Sequence, residues 1–200
     1  MKTILKYGIE FLIVTFGVFL GMYVSELQNE KKVKIEKEKS ISYILEELEN
    51  NKKNIKKSIT YHQAIKTEID SVTPTLLEKD VYATYFGNHK FRHNELKGWN
   101  GITLAEVVNT AFEGAKISGI IKEYDIGLIY KVSKIYNLQK GYTELGNSIL
   151  DRMININSSA KVIDVLVSIQ LMTNDLLIYE KKILSEIESI ETEIKKSYLN

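Results

Sequence analysis

ILKYGIEFLIVTFGVFLGMYV, residues 4–24, runs directly into SELQNEKKVKIEKEKS, residues 25–40, and the junction between the two decides how the chain is organised. No charge occurs from Phe11 to Val24. As a helix the 21 residues of the first stretch rise roughly 32 Å, enough for a hydrocarbon core of about 30 Å with Lys6 near the headgroups. Tyr7 and Tyr23 bracket it like an aromatic belt. Lys2 and Lys6 ahead of an apolar run also fit a signal peptide, but Gly21-Met22-Tyr23-Val24-Ser25 is a poor cleavage site. Residues 1–25 therefore read as an uncleaved transmembrane anchor.

Nothing breaks the helix beyond it. After Gly21 the next glycine is Gly87, and Pro74 is the single proline. Between Glu26 and Lys39, 9 of 14 residues are charged with signs mixed, which suits a solvated helix laced by i,i+4 pairs. Residues 26–40 read as a juxtamembrane stalk. From Ile41 the pattern changes: Ile41, Leu45, Leu48, Ile55, Ile59 and Ile69 follow helical spacing, so packing is expected to start there and to occupy residues 41–200.

Thr73-Pro74 signals a restart, leading a short helix to about Phe86. Residues 87–101, GNHKFRHNELKGWNG, have three glycines and no period, and read as a loop. Thr103-Leu104-Ala105-Glu106 has the form of a capping box, so a helix is expected from there to Ser118-Gly119. Asp125 caps the next, running towards Ile154 with Gly141 and Gly146 as weak or close-packing points. Ser158 or Ser159 caps a last helix to the end of the chain. No stretch alternates like a strand. The expected fold is all-α: an N-terminal transmembrane helix continuing into a stalk and an antiparallel helical bundle of about four helices, the second one broken.

Composition removes several functions. The chain has 200 residues, and its 27 Lys plus Arg against 26 Asp plus Glu leave a formal charge of +1, with no whole-chain electrostatic case for nucleic acid. Without cysteine there is no disulfide, thiolate metal site or cysteine nucleophile. Phosphate loops, nucleophile elbows and HExxH are missing from the sequence, and no catalytic, cofactor-binding or metal-ligating set can be named.

Tyr7-Gly8-Ile9-Glu10 leading into the apolar run, Leu45-Glu46-Glu47-Leu48 with the asparagine-rich turn after it, and Ser118-Gly119-Ile120-Ile121 with Leu128 and Tyr136 downstream resemble a bacterial family of single-span membrane proteins with a helical soluble domain. Members often carry tryptophan and asparagine just past the span, where this chain has Glu26-Leu27-Gln28-Asn29. The resemblance implies the architecture and a place in the bacterial inner (cytoplasmic) membrane. It implies no reaction. For orientation, Lys2 and Lys6 precede the span while Lys31, Lys32, Lys34, Lys37 and Lys39 begin several residues after it, which slightly favours a soluble domain on the periplasmic side.

Three groups of residues stand out as interaction sites. At 100° per residue Glu10, Gly17, Gly21 and Gln28 share one face, and Gly17-x-x-x-Gly21 is the small-residue spacing of close membrane-helix contacts. Glu10 either joins a helix–helix contact, pairs with Lys6 near the headgroups, or lines an ion or proton path. His89, Phe91, Arg92, His93 and Trp99 form a possible partner-contact loop; two histidines four apart with Glu95 are the metal alternative, and Phe91 and Trp99 plugging the bundle the structural one. His62 lies on the apolar stripe and reads as a core-edge histidine with a hydrogen-bond partner. In the tail, Ile183, Ile187, Ile190 and Ile194 make a coiled-coil seam flanked by glutamates, and the lysine-rich stalk is its expected partner.

The expected function is a membrane-anchored scaffold or accessory subunit that contacts membrane lipid and associates with a copy of itself or another membrane protein. A membrane-tethered ligand-sensing bundle and a subunit of a channel-like or transport assembly are the alternatives.

Overall fold

The computed structural model describes residues 2–198, with side chains over 6–196, so Met1, Leu199 and Asn200 at the ends of the expected anchor and bundle lie outside the described residues. The protein is all-helical, with no strand among the described residues. Helix α1, Lys2–Val72, is a single rod of 71 residues and roughly 107 Å. Its continuity follows from the missing helix breakers, and its two halves live in different surroundings. Residues 6–32 are exposed throughout, whereas Ile41, Ile44, Leu48, Ile55, Ile65 and Ile69 are buried to 1% exposure or less.

Helix α2 is short, Glu78–Val81, after a 3-10 turn at Thr73–Thr75. Next come an irregular stretch and α3, Thr110–Ser118, ended by Gly119 in the left-handed region at φ +79°. Helix α4, Ile126–Ile154, starts as its sequence requires, with Asp125 accepting from the Gly127 and Leu128 amides. Helix α5, Val162–Gln170, passes through a π turn at Leu171–Leu176 into α6, Leu177–Tyr198.

Cross-element bonds fix the directions. Ser40–Tyr124, just before α4, and Glu47–Tyr136 and Asn51–Gln139 within it pair with α1 in rising register, so α1 and α4 run parallel. Lys66–Asn174, Ser58–Glu180 and Lys56–Glu188 pair α1 with the last rod in opposite senses, so α6 runs back along both. The chain must descend between α1 and α4. It does so partly as extended backbone, with Gly101, Thr103, Glu106, Val108 and Ala111 meeting Tyr61, His62, Asn54, Asn51 and Glu47 in turn.

Three local expectations need correction. Thr103 caps no helix, because α3 starts only at Thr110; side chains of α1 and α4 take the backbone groups that a helix would have used. The restart at Thr73-Pro74 gives four residues of α-helix instead of a helix to Phe86. Ser158 and Ser159 lie in a turn where Asn157 accepts from Ser159, and the helix begins at Val162, with Asp164 accepting from the Lys161 amide at 2.8 Å.

Gly146 is a true close-packing point. A Cβ there would lie 2.5 Å from Leu104 Cδ2 and 3.2 Å from Leu104 Cγ, on the extended segment. Gly146→Ala is expected to push Leu104 off its rotamer and cost about 1–3 kcal/mol, read as a lower urea midpoint. An unchanged midpoint would show that the segment is loosely held.

Candidate functional site

Six of the buried polar side chains, Glu47, Asn51, Ser58, His62, Gln139 and Glu180, form a ladder along the inner face of α1. At its far rung, Glu180 of α6 is fully buried, accepting from Ser58 Oγ at 2.6 Å and Tyr142 OH at 3.2 Å, and lying 3.0 Å from His62 Nδ1. His62 Nε2 reaches the Thr103 carbonyl at 3.0 Å, and Tyr142 OH accepts from the Ala105 amide at 2.6 Å. A carbonyl only accepts, so Nε2 carries a proton, and one more proton lies between His62 Nδ1 and Glu180. Burial first, and the Glu180 charge second, hold the Tyr142 phenol far above its ordinary range. His62 is deep in the core, not at its edge.

About two turns down from Ser58, Asn51 donates to the Val108 carbonyl at 2.7 Å and accepts from the Val108 amide at 3.0 Å, which satisfies both backbone groups of one residue. Lower still, Glu47 accepts from Tyr136 OH at 2.5 Å and from the Ala111 amide at 2.8 Å. Burial and that bond push the Tyr136 phenol up. The ladder thus holds the extended descent in place of a helix. Ser58, His62 and Glu180 resemble a nucleophile set in composition only. Ser58 donates to Glu180, not to a histidine nitrogen, and both His62 and Glu180 are at 0% exposure.

Glu10, Gly17, Gly21 and Gln28 lie on the exposed part of α1. Apart from its chain neighbours and the adjoining backbone of the helix itself, no described atom comes within 4 Å of a Cβ built at Gly17 or Gly21. Lys6 Nζ stands 3.9 Å from Glu10 Oε1, one turn away, with both side chains more than half exposed.

The loop residues separate into two groups. Phe91 is 3% exposed and Leu96 6%, so both plug the core, and Trp99 packs half-buried against it. Phe91 is therefore not on the outer surface expected of a contact loop. His89 and Arg92 are exposed. His93 shares no helix face with His89: its Nδ1 meets Tyr85 OH, its ring stacks on Tyr85, and Trp99 stands edge-on at 5.2 Å. Burial pushes the His93 imidazole below, and the Tyr85 phenol above, their ordinary ranges. We assign the phenol as donor to Nδ1, which leaves the imidazole proton on Nε2.

The tail differs most from expectation. Ile183, Ile187, Ile190 and Ile194 are all within 2% of full burial, packed inside the bundle. Their flanking glutamates meet Lys134, Lys56, Lys52 and Lys131 of the bundle itself, not the stalk lysines. In the stalk, Lys32 pairs with Glu36, Lys34 with Glu38, and Lys39 lies over Tyr43. The register explains this: Lys195 already pairs with Glu49, so α6 ends near the start of the buried half of α1.

Sequence reasoning missed the ladder, though Asn51, Asn54 and Glu47 lie in the asparagine-rich segment it singled out. No protein-family model, curated protein or solved structure matches the chain.

Proposed function

We propose that this chain is a single-pass protein of a bacterial cytoplasmic membrane, in which an antiparallel bundle of about four helical elements serves as a scaffold or accessory subunit. One observation carries the reading. A single helix supplies both an 18-residue window of mean hydropathy 1.8 with none of its surface buried in the fold, and the central wall of the buried core. An exposed apolar surface of that length in water needs a cover, and lipid or a second membrane helix provides it. The other apolar helical rod, Val162–Lys196, is half buried and serves the core.

The buried ionisable groups support a structural role, since Glu47, His62 and Glu180 are occupied in holding the extended segment. The proposal therefore assigns no catalysed reaction. The anchor's partner is a copy of the chain or another membrane protein, met along the face of Glu10, Gly17, Gly21 and Gln28. The soluble domain lies on the periplasmic side. Carbonate-washed membranes are expected to retain the protein, and a C-terminal alkaline phosphatase fusion is expected to be active; release into the wash, or an inactive fusion beside a fluorescent cytoplasmic reporter, would overturn those parts. Replacing Gly17 and Gly21 together by isoleucine is expected to abolish association in an in-membrane reporter assay. Unchanged association would remove the glycine face from the proposal.

A further inference from the structure

We propose that the cavity at the end of the bundle opposite the exposed half of α1 binds a small carboxylate that carries an apolar or aromatic body. The cavity has a volume of about 390 Å³, within the range that holds small molecules. Its lining combines two chemistries. Arg92, His93 and Asn94, three consecutive residues, bring hydrogen-bond donors to the lining; Phe86, Met153 and Ile156 bring apolar surface to it.

The donors suit a carboxylate. Of 27 basic residues only two are arginine, Arg92 and Arg152; lysine serves everywhere else. A planar guanidinium fork matches a carboxylate in two parallel bonds, which an ammonium cannot do. Arg92 is available for this. Its contact to Glu95 is Nε to Oε1 at 3.9 Å, between side chains 46% and 68% exposed, and a solvated pair of that length holds the fork weakly. His93, fixed by Tyr85 at Nδ1, has its Nε2 proton free of that bond to donate. The apolar lining asks for a body: Phe86 is 56% exposed at the cavity, a large aromatic left uncovered by the fold.

The loop is also held ready. Gly87, at φ +101°, makes the left-handed turn between Phe86 and Asn88. Asn88 Oδ1 then accepts from the Lys90 amide at 2.7 Å and the Phe91 amide at 3.3 Å, and Phe91 is locked in the core. A loop fixed in this way loses little freedom on binding.

This inference is independent of membrane anchoring and is tested on the full chain in detergent micelles. Trp99 is the single tryptophan, and its ring lies 5.2 Å from His93, so its emission reports on the cavity. Phenylacetate is the probe, with phenylacetamide as the uncharged analogue and acetate as the body-free one. Phenylacetate is expected to change Trp99 emission saturably, with both analogues at least about tenfold weaker. Arg92→Lys is expected to weaken phenylacetate about tenfold at unchanged thermal midpoint, and Phe86→Ala to bring it down towards acetate. No saturable change up to ~10 mM phenylacetate, an equal response to phenylacetamide, or an undiminished response in Arg92→Lys would each overturn the proposal.

Discussion

Glu180→Leu is expected to destabilise the bundle by about 3–5 kcal/mol, the range for breaking one partner out of a buried polar pair. For a domain of this size that corresponds to a fall in Tm of roughly 6–20 °C. The magnitude follows from what Glu180 holds. Ser58 Oγ, Tyr142 OH and His62 Nδ1 all converge on its carboxyl group at zero exposure, so its removal takes the Glu180 bond from three buried polar groups, of which Tyr142 keeps the Ala105 amide. Added apolar contact from the leucine offsets only part of this. The loss also spreads along the ladder, because His62 and Tyr142 hold Thr103 and Ala105 in turn. Hydrogen exchange separates this account from a generic core defect: the Ala105 and Val108 amides are expected to lose protection before the amides of α4 do. Glu180→Gln keeps two polar atoms in place and is expected to lose less. A Glu180→Leu protein within about 1 kcal/mol of the wild type would show that the ladder is not what keeps the segment extended.

The extended segment also marks the limit of what the sequence reveals. Continuity of α1 was legible, because it depends on missing breakers between Met22 and Thr73, and so was the start of α4, because Asp125 caps its own neighbours. Both are local matters. Thr103 offers an equally good local signal, yet Asn51 and His62, from 41 to 57 residues away, take the backbone groups instead. A capping box is worth about 1 kcal/mol, and several buried side-chain bonds to backbone outweigh it. The His62–Glu180 pair spans 118 residues, and only the placement of His62 on the apolar stripe hinted at it. The arginine-lined cavity was half legible: the loop stood out by composition, while Met153 comes from the far end of α4 and Ile156 from the turn just after it.

The tail provides the second large effect. Ile187→Ala is expected to cost about 2–5 kcal/mol, as truncation of a buried isoleucine does, although the residue lies within 14 positions of the C-terminus. Ile187 is at 0% exposure, with Ile183 and Ile194 equally buried above and below it. Against this, Glu186→Ala and Glu188→Ala remove half-exposed ion pairs to Lys134 and Lys56 and are expected to cost under about 1 kcal/mol each. The contrast assigns the roles. Apolar burial holds α6, while the charges favour one register: sliding the helix by a single turn would take Glu186 and Glu193 from Lys134 and Lys131 on one side, and Glu188 from Lys56 on the other. A frayed, solvated tail predicts the opposite order, with Ile187→Ala almost silent. Urea midpoints of the three variants decide between them, and a loss below about 0.5 kcal/mol for Ile187→Ala would place the tail outside the core. Because α6 packs on both α1 and α4, the same loss is expected to loosen α1 from α4, read as reduced hydrogen-exchange protection of the α4 amides in Ile187→Ala.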